Sequence, residues 1–176
     1  MSPRVRRAVP RDAAILAAVQ NASWKAAFTG LMPDDHLAGL DVAAFRATWE
    51  ECLAGPVRPS SGILVAEDDA QVVGYARYYA TDDADDDPAR VGMLGSLYTL
   101  PAVWGTGVGK ALMTEVLGAL ASAGYAESTL WVLEGNDRAR NFYRRHGWSE
   151  DGGREESRDD GFLITKLRYR LSLSGA

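Results

Sequence analysis

Two short constellations carry the residues best suited to chemistry. The first is Trp104-Gly105-Thr106-Gly107-Val108-Gly109-Lys110, with three glycines inside five positions. Glycine lets the main chain approach a ligand closely and adopt dihedrals that other residues avoid. This run follows the aliphatic stretch Leu97-Tyr98-Thr99-Leu100-Pro101 and opens a helix-forming stretch. The first N–H groups of a helix have no partners inside it and point outward together, which suits a phosphate or pyrophosphate. Lys110 adds a positive charge beside them. In the second constellation, Ala139, Phe142, Tyr143 and His146 recur at helical spacing after Asn136 and before Gly147-Trp148. Asn136 or Asp137 can cap that helix. The phenol of Tyr143 can donate a proton or a hydrogen bond.

Two phosphate motifs fail against the first run. A P-loop needs glycine where Trp104 stands and a hydroxyl residue where Ala111 stands. A dinucleotide fingerprint would put its third glycine at Lys110 or at Leu112. Taken together, the two constellations resemble the GCN5-related N-acetyltransferase (GNAT) superfamily. Gly107 and Gly109 match the small residues of its cofactor turn, Pro101 precedes the turn, and a helix follows it. Trp104 departs from the pattern, standing where Arg or Gln is usual. Asn136, Ala139, Phe142, Tyr143, Gly147 and Trp148 match the second motif with its internal spacing. The likeness covers roughly residues 63–148.

That resemblance implies acetyl-CoA as the acetyl donor. Leu97, Tyr98, Thr99, Leu100, Trp104, Gly105, Thr106, Gly107, Val108, Gly109 and Lys110 would hold it, with Asn136, Ala139, Phe142 and Tyr143 from the later helix. A primary amine would attack the thioester directly in a ternary complex, with Tyr143 beside the sulfur to protonate the leaving thiolate. The oxyanion would take an N–H from the strand Leu97 to Leu100, with Leu100 the first choice and an offset of one or two residues the alternative. Relatives often carry a glutamate in that strand, and none is present here. Glu134 is therefore the base chosen, with Asp34, Asp35, His36 and ordered water as alternatives. Trp24, Phe28, Asp34 and His36, on the N-terminal helices, are the expected acceptor contacts. The acceptor would be a small-molecule or peptide amine. A non-catalytic acyl-CoA-binding sensor or structural module of the same fold is the competing class, distinguished by binding without transfer.

Positioning these residues takes alternating elements. Val5 to Val9 reads as an opening strand, and Asp12 as the cap of a helix over Ala13 to Phe28. A second helical stretch follows Pro33, and Asp41 caps a third over Val42 to Leu53. Ile63 to Glu67 and Val72 to Tyr79 form a hairpin, with Gly74 marking a bulge or a close backbone approach. Next come a strand over Met93 to Leu100, a helix over Lys110 to Ala123, a strand over Ser128 to Leu133 and a helix over Asp137 to His146. Trp148 to Gly153 and Phe162 to Leu173 complete the strands around a charged loop, Arg154 to Asp160. By the resemblance, the strand before the glycine turn splays from its neighbour at a bulge and opens a slot for the pantetheine arm. The expected fold is α+β: one three-layer αβα domain over residues 1–176, with a mixed, mostly antiparallel sheet flanked by helices.

Composition narrows the function classes. The net charge of −5 disfavours a nucleic-acid partner and leans toward a cationic acceptor. The single cysteine, Cys52, sits in an apolar-rich segment and reads as a core residue. No apolar run approaches a membrane span, so a cytoplasmic protein with no membrane partner is expected. Five of the six residues from Asp82 to Asp87 are aspartate. An EF-hand fails there, because Pro88 and Leu94 occupy its glycine and glutamate positions. A solvated loop is expected instead, with no metal site. Homodimerisation is compatible with the resemblance, the C-terminal strand offering an edge.

Overall fold

The computed structural model describes residues 3–158 and 161–173. Asp159 and Asp160 of the expected charged loop lie outside the described residues. Among those residues seven strands form one sheet in the order β1-β2-β3-β4-β5-β7-β6. They are β1 (Arg4–Arg7), β2 (Gly62–Asp68), β3 (Gln71–Ala80), β4 (Val91–Thr99), β5 (Glu127–Leu133), β6 (Ser149–Ser157) and β7 (Ile164–Ser172). The helices are α1 (Ala13–Phe28), α2 (Asp34–Ala38), α3 (Val42–Ala54), α4 (Val108–Ser122) and α5 (Asp137–Arg145). This is the mixed, mostly antiparallel, helix-flanked sheet expected, with β4 and β5 its parallel pair.

Each sheet face buries its own helices. On one face α4 seats Leu112, Met113, Val116 and Leu120 against Leu64, Ala66, Ala76 and Leu94. Spacings of three and four place those helix residues on one stripe. On the other face α1 and α3 bring Leu16, Ala17, Val19 and Trp49 onto Val65, Val72 and Tyr75. Cys52 is half-buried at the margin of this second cluster. The hairpin between β2 and β3 turns on Asp69 and Ala70, both at positive φ, as a tight two-residue turn requires. No helix among the described residues is long and apolar enough to cross a membrane.

The feature that prepares a site is a split in the sheet. β4 and β5 pair only from Val91 to Met93, opposite Glu127 to Thr129. Beyond that point they diverge. A bulge at Gly95 coincides with the divergence: Arg77 pairs Ser96 and Tyr78 pairs Leu94, leaving Gly95 unmatched. A Cβ on Gly95 would collide with the ring of Tyr79, which would have to move to admit any side chain. Gly74 is a close approach instead; its missing Cβ would lie 2.8 Å from Thr99 Cγ2 and 3.0 Å from Tyr98 O.

Several local expectations are corrected. Asp12 does not cap α1 through its side chain. Its carboxylate accepts from Arg6 at 2.7 Å and from the Val9 N–H at 2.8 Å, tying β1 to the following turn. Asp41 does cap α3, accepting from Ala43 and Ala44. Part of the expected charged loop is strand, because β6 runs on to Ser157 and pairs β7. The C-terminal strand β7 lies inside the sheet between β5 and β6, so it offers no edge. The edge is β6, where a bulge and the charges Glu150, Asp151, Arg154, Glu155 and Glu156 oppose pairing with another chain.

The acidic run is not merely solvated. Arg168, 8 % exposed at its side chain, donates to Asp85 at 2.7 Å and to Asp83 at 3.3 Å. Arg170 binds Asp86 at 2.8 Å, and Asp151 bridges both arginines. The Arg168 hydrogen bond holds the Asp85 carboxyl down at about 2. Protein guanidinium groups supply the counter-charge that a cation would otherwise provide.

Candidate active site

Two cavities meet at the split. One, about 420 Å³, is the turn-side lobe, bounded by Thr99, Trp104, Gly105, Gly107, Gly109 and Lys110 on one side and by α5 on the other. The second, about 360 Å³, is bounded by Trp24, Phe28, Met32, His36, Trp131 and Lys166. Leu97, Tyr98, Ala139 and Tyr143 line both, so the lobes join where β4 faces α5.

The glycine turn has the conformation its sequence suggests. Gly105 and Gly107 lie at φ +79° and +98°, in the left-handed region that penalises side chains. Gly107 is the residue before α4, and its carbonyl accepts from the Ala111 N–H as the helix begins. The turn thus delivers the free N–H groups of the first helical turn at the lobe. Gly109 has ordinary contact room, its absent Cβ falling 3.5 Å from Phe142 Cζ. Val108 is buried and contributes backbone only, while Thr106 is exposed and turns its hydroxyl back to Val103 O at 2.8 Å.

Trp104 takes a different job from the Arg or Gln usual at its position. Its indole N–H donates to Thr99 O at 3.0 Å, and that carbonyl also accepts from Ser23 Oγ at 3.0 Å. The ring carries the guanidinium of Arg138 at 3.5 Å. Arg138 lines both lobes, yet motif matching alone passes it over. Its signal was present: a cation in the first turn of a helix opposes the helix dipole and asks for a reason.

Helix α5 aims the other side chains. Asn136 Oδ1 accepts from the Ala139 N–H at 3.1 Å, which fixes the amide orientation and leaves its NH2 available to a ligand. Tyr143 is 8 % exposed, its ring packed against Phe142, Trp148 and Tyr169. Its hydroxyl has no hydrogen-bond partner among the described residues. Burial pushes the phenol well above its usual value, with Tyr98 adding to the rise. Tyr98 itself is pushed up to about 12 by burial. His146 ends the helix as expected, with Nδ1 2.7 Å from Phe142 O.

Other expected site residues sit elsewhere. The Leu100 N–H donates to Val73 O at 2.8 Å, so it is spent on the ladder and cannot serve an oxyanion. Alternation along an antiparallel pair then turns the N–H groups of Leu97 and Thr99 away from β3, toward the gap. Glu134 lies at the end of β5 outside both lobes, its carboxylate gripped by Arg154 at 2.6 Å. Asp34 is exposed on α2 and also lies outside, whereas His36 reaches the second lobe and packs on Phe162. Trp24 and Phe28 stand edge to face at 5.6 Å in its wall. Trp131, unforeseen, closes that wall with its N–H on Asp83 at 3.0 Å.

A sheet parted between two parallel strands, with a glycine-rich helix start beside the parting, is the architecture of an acyl-CoA N-acyltransferase. The profile of the acetyltransferase (GNAT) family matches residues 24–148, and the chain belongs to that family. An uncharacterized N-acetyltransferase of Mycobacterium tuberculosis is 35% identical over 144 residues, covering 81% of this chain and 86% of the relative. The uncharacterized N-acetyltransferase YuaI of Bacillus subtilis is 27% identical over 167 residues, covering 94% and 88%. Among solved structures, the PaiA N-acetyltransferase of Thermoplasma acidophilum, in complex with coenzyme A, aligns with a TM-score of 0.75 at 21% identity. That alignment covers 98% of this chain and 99% of the other. The YncA acetyltransferase of Salmonella typhimurium, with acetyl-CoA, aligns at a TM-score of 0.72 and 18% identity, covering 100% and 96%. The protein is an N-acetyltransferase with acetyl-CoA as its donor co-substrate.

Proposed function

We propose that this enzyme moves the acetyl group of acetyl-CoA directly onto a primary amine held in the lobe of Trp24, Phe28, Met32, His36, Trp131 and Lys166. The observation that carries the reading is Tyr143. Tyr143 lines both lobes, and its hydroxyl is free of protein partners among the described residues. Acetyl-CoA lies with its pyrophosphate at the start of α4 and its arm between β4 and α5, with the NH2 of Asn136 on the arm. The thioester then meets Leu97, which lines both lobes and whose N–H serves the developing oxyanion. The neutral amine nitrogen attacks the thioester carbon, the C–S bond breaks, Tyr143 gives a hydrogen bond or its proton to the departing sulfur, and the surplus proton on nitrogen leaves to restore the phenol or to water.

The attacking amine must first lose a proton. Among the described residues no carboxylate lines either lobe, and the titratable side chains of the acceptor lobe are His36, Tyr98, Arg138, Tyr143 and Lys166. His36 takes the role of base, imidazole being the side chain suited to proton transfer near neutral pH. The same inventory reverses the expectation drawn from net charge. With no carboxylate lining the lobe, a polycationic acceptor would find nothing there to pair its extra charges, so the acceptor is a neutral-bodied or anion-bearing amine. The test is a screen of amino acids, simple amines and polyamines by release of free CoA thiol. Turnover on monoamines or amino acids above polyamines is the expected order. Acetyl-CoA binding without transfer to any of them would favour the sensor class.

A further inference from the structure

We propose that Arg138, stacked on Trp104, supplies to the acetyl-CoA pyrophosphate the polar contact that Trp104 cannot give, so that the phosphate grip is shared between α4 and α5. This rests on the reading of the turn-side lobe as the acetyl-CoA site. Four observations converge. Trp104 fills the turn position where a long polar or cationic side chain is usual, and its own N–H is committed to Thr99 O. Its ring face is occupied by the Arg138 guanidinium at 3.5 Å, within cation–π range. Arg138 has no carboxylate partner among the described residues, although Arg140 on the same helix and Arg154, Arg168 and Arg170 on β6 and β7 are each held by carboxylates. Loss of solvent lowers its pKa from the ordinary value, an unfavourable placement that an arriving anion relieves.

The surroundings agree in sign. The charged side chains lining the turn-side lobe are Lys110, Arg138 and Arg145, all cationic, in a chain of net charge −5. Because Arg138 precedes Tyr143 by little more than one helical turn, phosphate binding also sets the position of the phenol. Trp104 is then a platform that holds the guanidinium at the mouth of the turn-side lobe. Lysine at position 138 would keep the charge and lose the fork.

Calorimetry with acetyl-CoA and with 3′-dephospho-CoA separates the possibilities. Arg138→Ala should weaken both ligands by about 10- to 100-fold, the usual scale for one charge-assisted contact. Adding Trp104→Arg to that variant should recover most of the loss, since it returns the cation to the turn. Wild-type affinity in folded Arg138→Ala would overturn the assignment. So would a loss seen with acetyl-CoA but absent with 3′-dephospho-CoA, which would move the contact to the 3′-phosphate. A folded double variant no tighter than Arg138→Ala would count equally against it. Failure of the wild-type protein to bind acetyl-CoA would instead sink the underlying reading of the lobe.

Discussion

Tyr143 and Glu134 separate sharply once their surroundings are known. The phenol's pKa is raised by burial, so the group stays protonated across the whole range in which an enzyme works. A raised phenol pKa means that the neutral donor form persists and the phenolate appears only above the ordinary value of 10.0. A kcat–pH profile should therefore show no descending limb from Tyr143 below that value. Tyr143→Phe should lower kcat by about 100-fold, the lower range for a general acid, with the acetyl-CoA dissociation constant nearly unchanged. Steady-state turnover on any acceptor found in the screen, paired with calorimetry, checks both halves. Glu134 carries the opposite expectation. Its pair with Arg154 is half-exposed on both sides, and such pairs contribute about 0–1 kcal/mol. Glu134→Gln should leave kcat within about threefold and move stability by no more than that range. A hundredfold fall in kcat would restore it as the base.

At the scale of the element, β4 decides whether a site exists. A strand paired on both sides has no N–H to give. The Gly95 bulge ends its pairing with β5 and bends it away, and the ring of Tyr79 fills the place a side chain would need. Gly95→Ala should destabilise the protein by about 1–3 kcal/mol through overpacking. In a double-mutant cycle, Tyr79→Ala should relieve part of that loss, because the clash is with that ring. Additive melting shifts in the cycle would show that Gly95 is needed for another reason. The element scale also explains why Leu100 fails as an oxyanion donor. Its place before Pro101 suggested a free N–H, but the ladder reaches one residue past β4 and Val73 claims it.

Across the whole molecule, much of the acidic balance is spent outside the lobes, on two arginines of β7. Asp83, Asp85, Asp86 and Asp151 gather around Arg168 and Arg170, and Asp83 also fixes Trp131 in the acceptor wall. Arg168→Ala should cost about 3 kcal/mol, since it strands several carboxylates near one another. The pH dependence has a definite sign. Asp85 is depressed from 3.8 to about 2 by the Arg168 hydrogen bond. Asp151, pushed up by burial, is nonetheless held low by the Gly153 N–H and by Arg168 and Arg170. Such groups stabilise the fold fully above the unfolded value and lose that contribution as pH falls through the folded one. The gap between wild type and Arg168→Ala, read from urea midpoints, should hold steady at neutral pH and shrink between 3.8 and about 2. A gap unchanged across that window would mean the cluster is not stabilising through charge.

Local chemistry made much of this protein legible in advance. The glycine turn, the helix over Asp137 to His146 and the strand-helix alternation follow from backbone preference and side-chain period, which act over a few residues. Through the family resemblance they carry, they were enough for the fold class and the donor co-substrate, and they singled out Tyr143 as the residue to test. What waited on three dimensions were relations between elements with no short-range signature. Trp104 and Arg138 are 34 positions apart in the chain, yet the indole and the guanidinium meet because the turn before α4 and the start of α5 flank one gap. Arg168 and Asp85 meet only because β7 is threaded inside the sheet. The direction of a single N–H, at Leu97 or at Leu100, was set by register, and register is a property of two strands together.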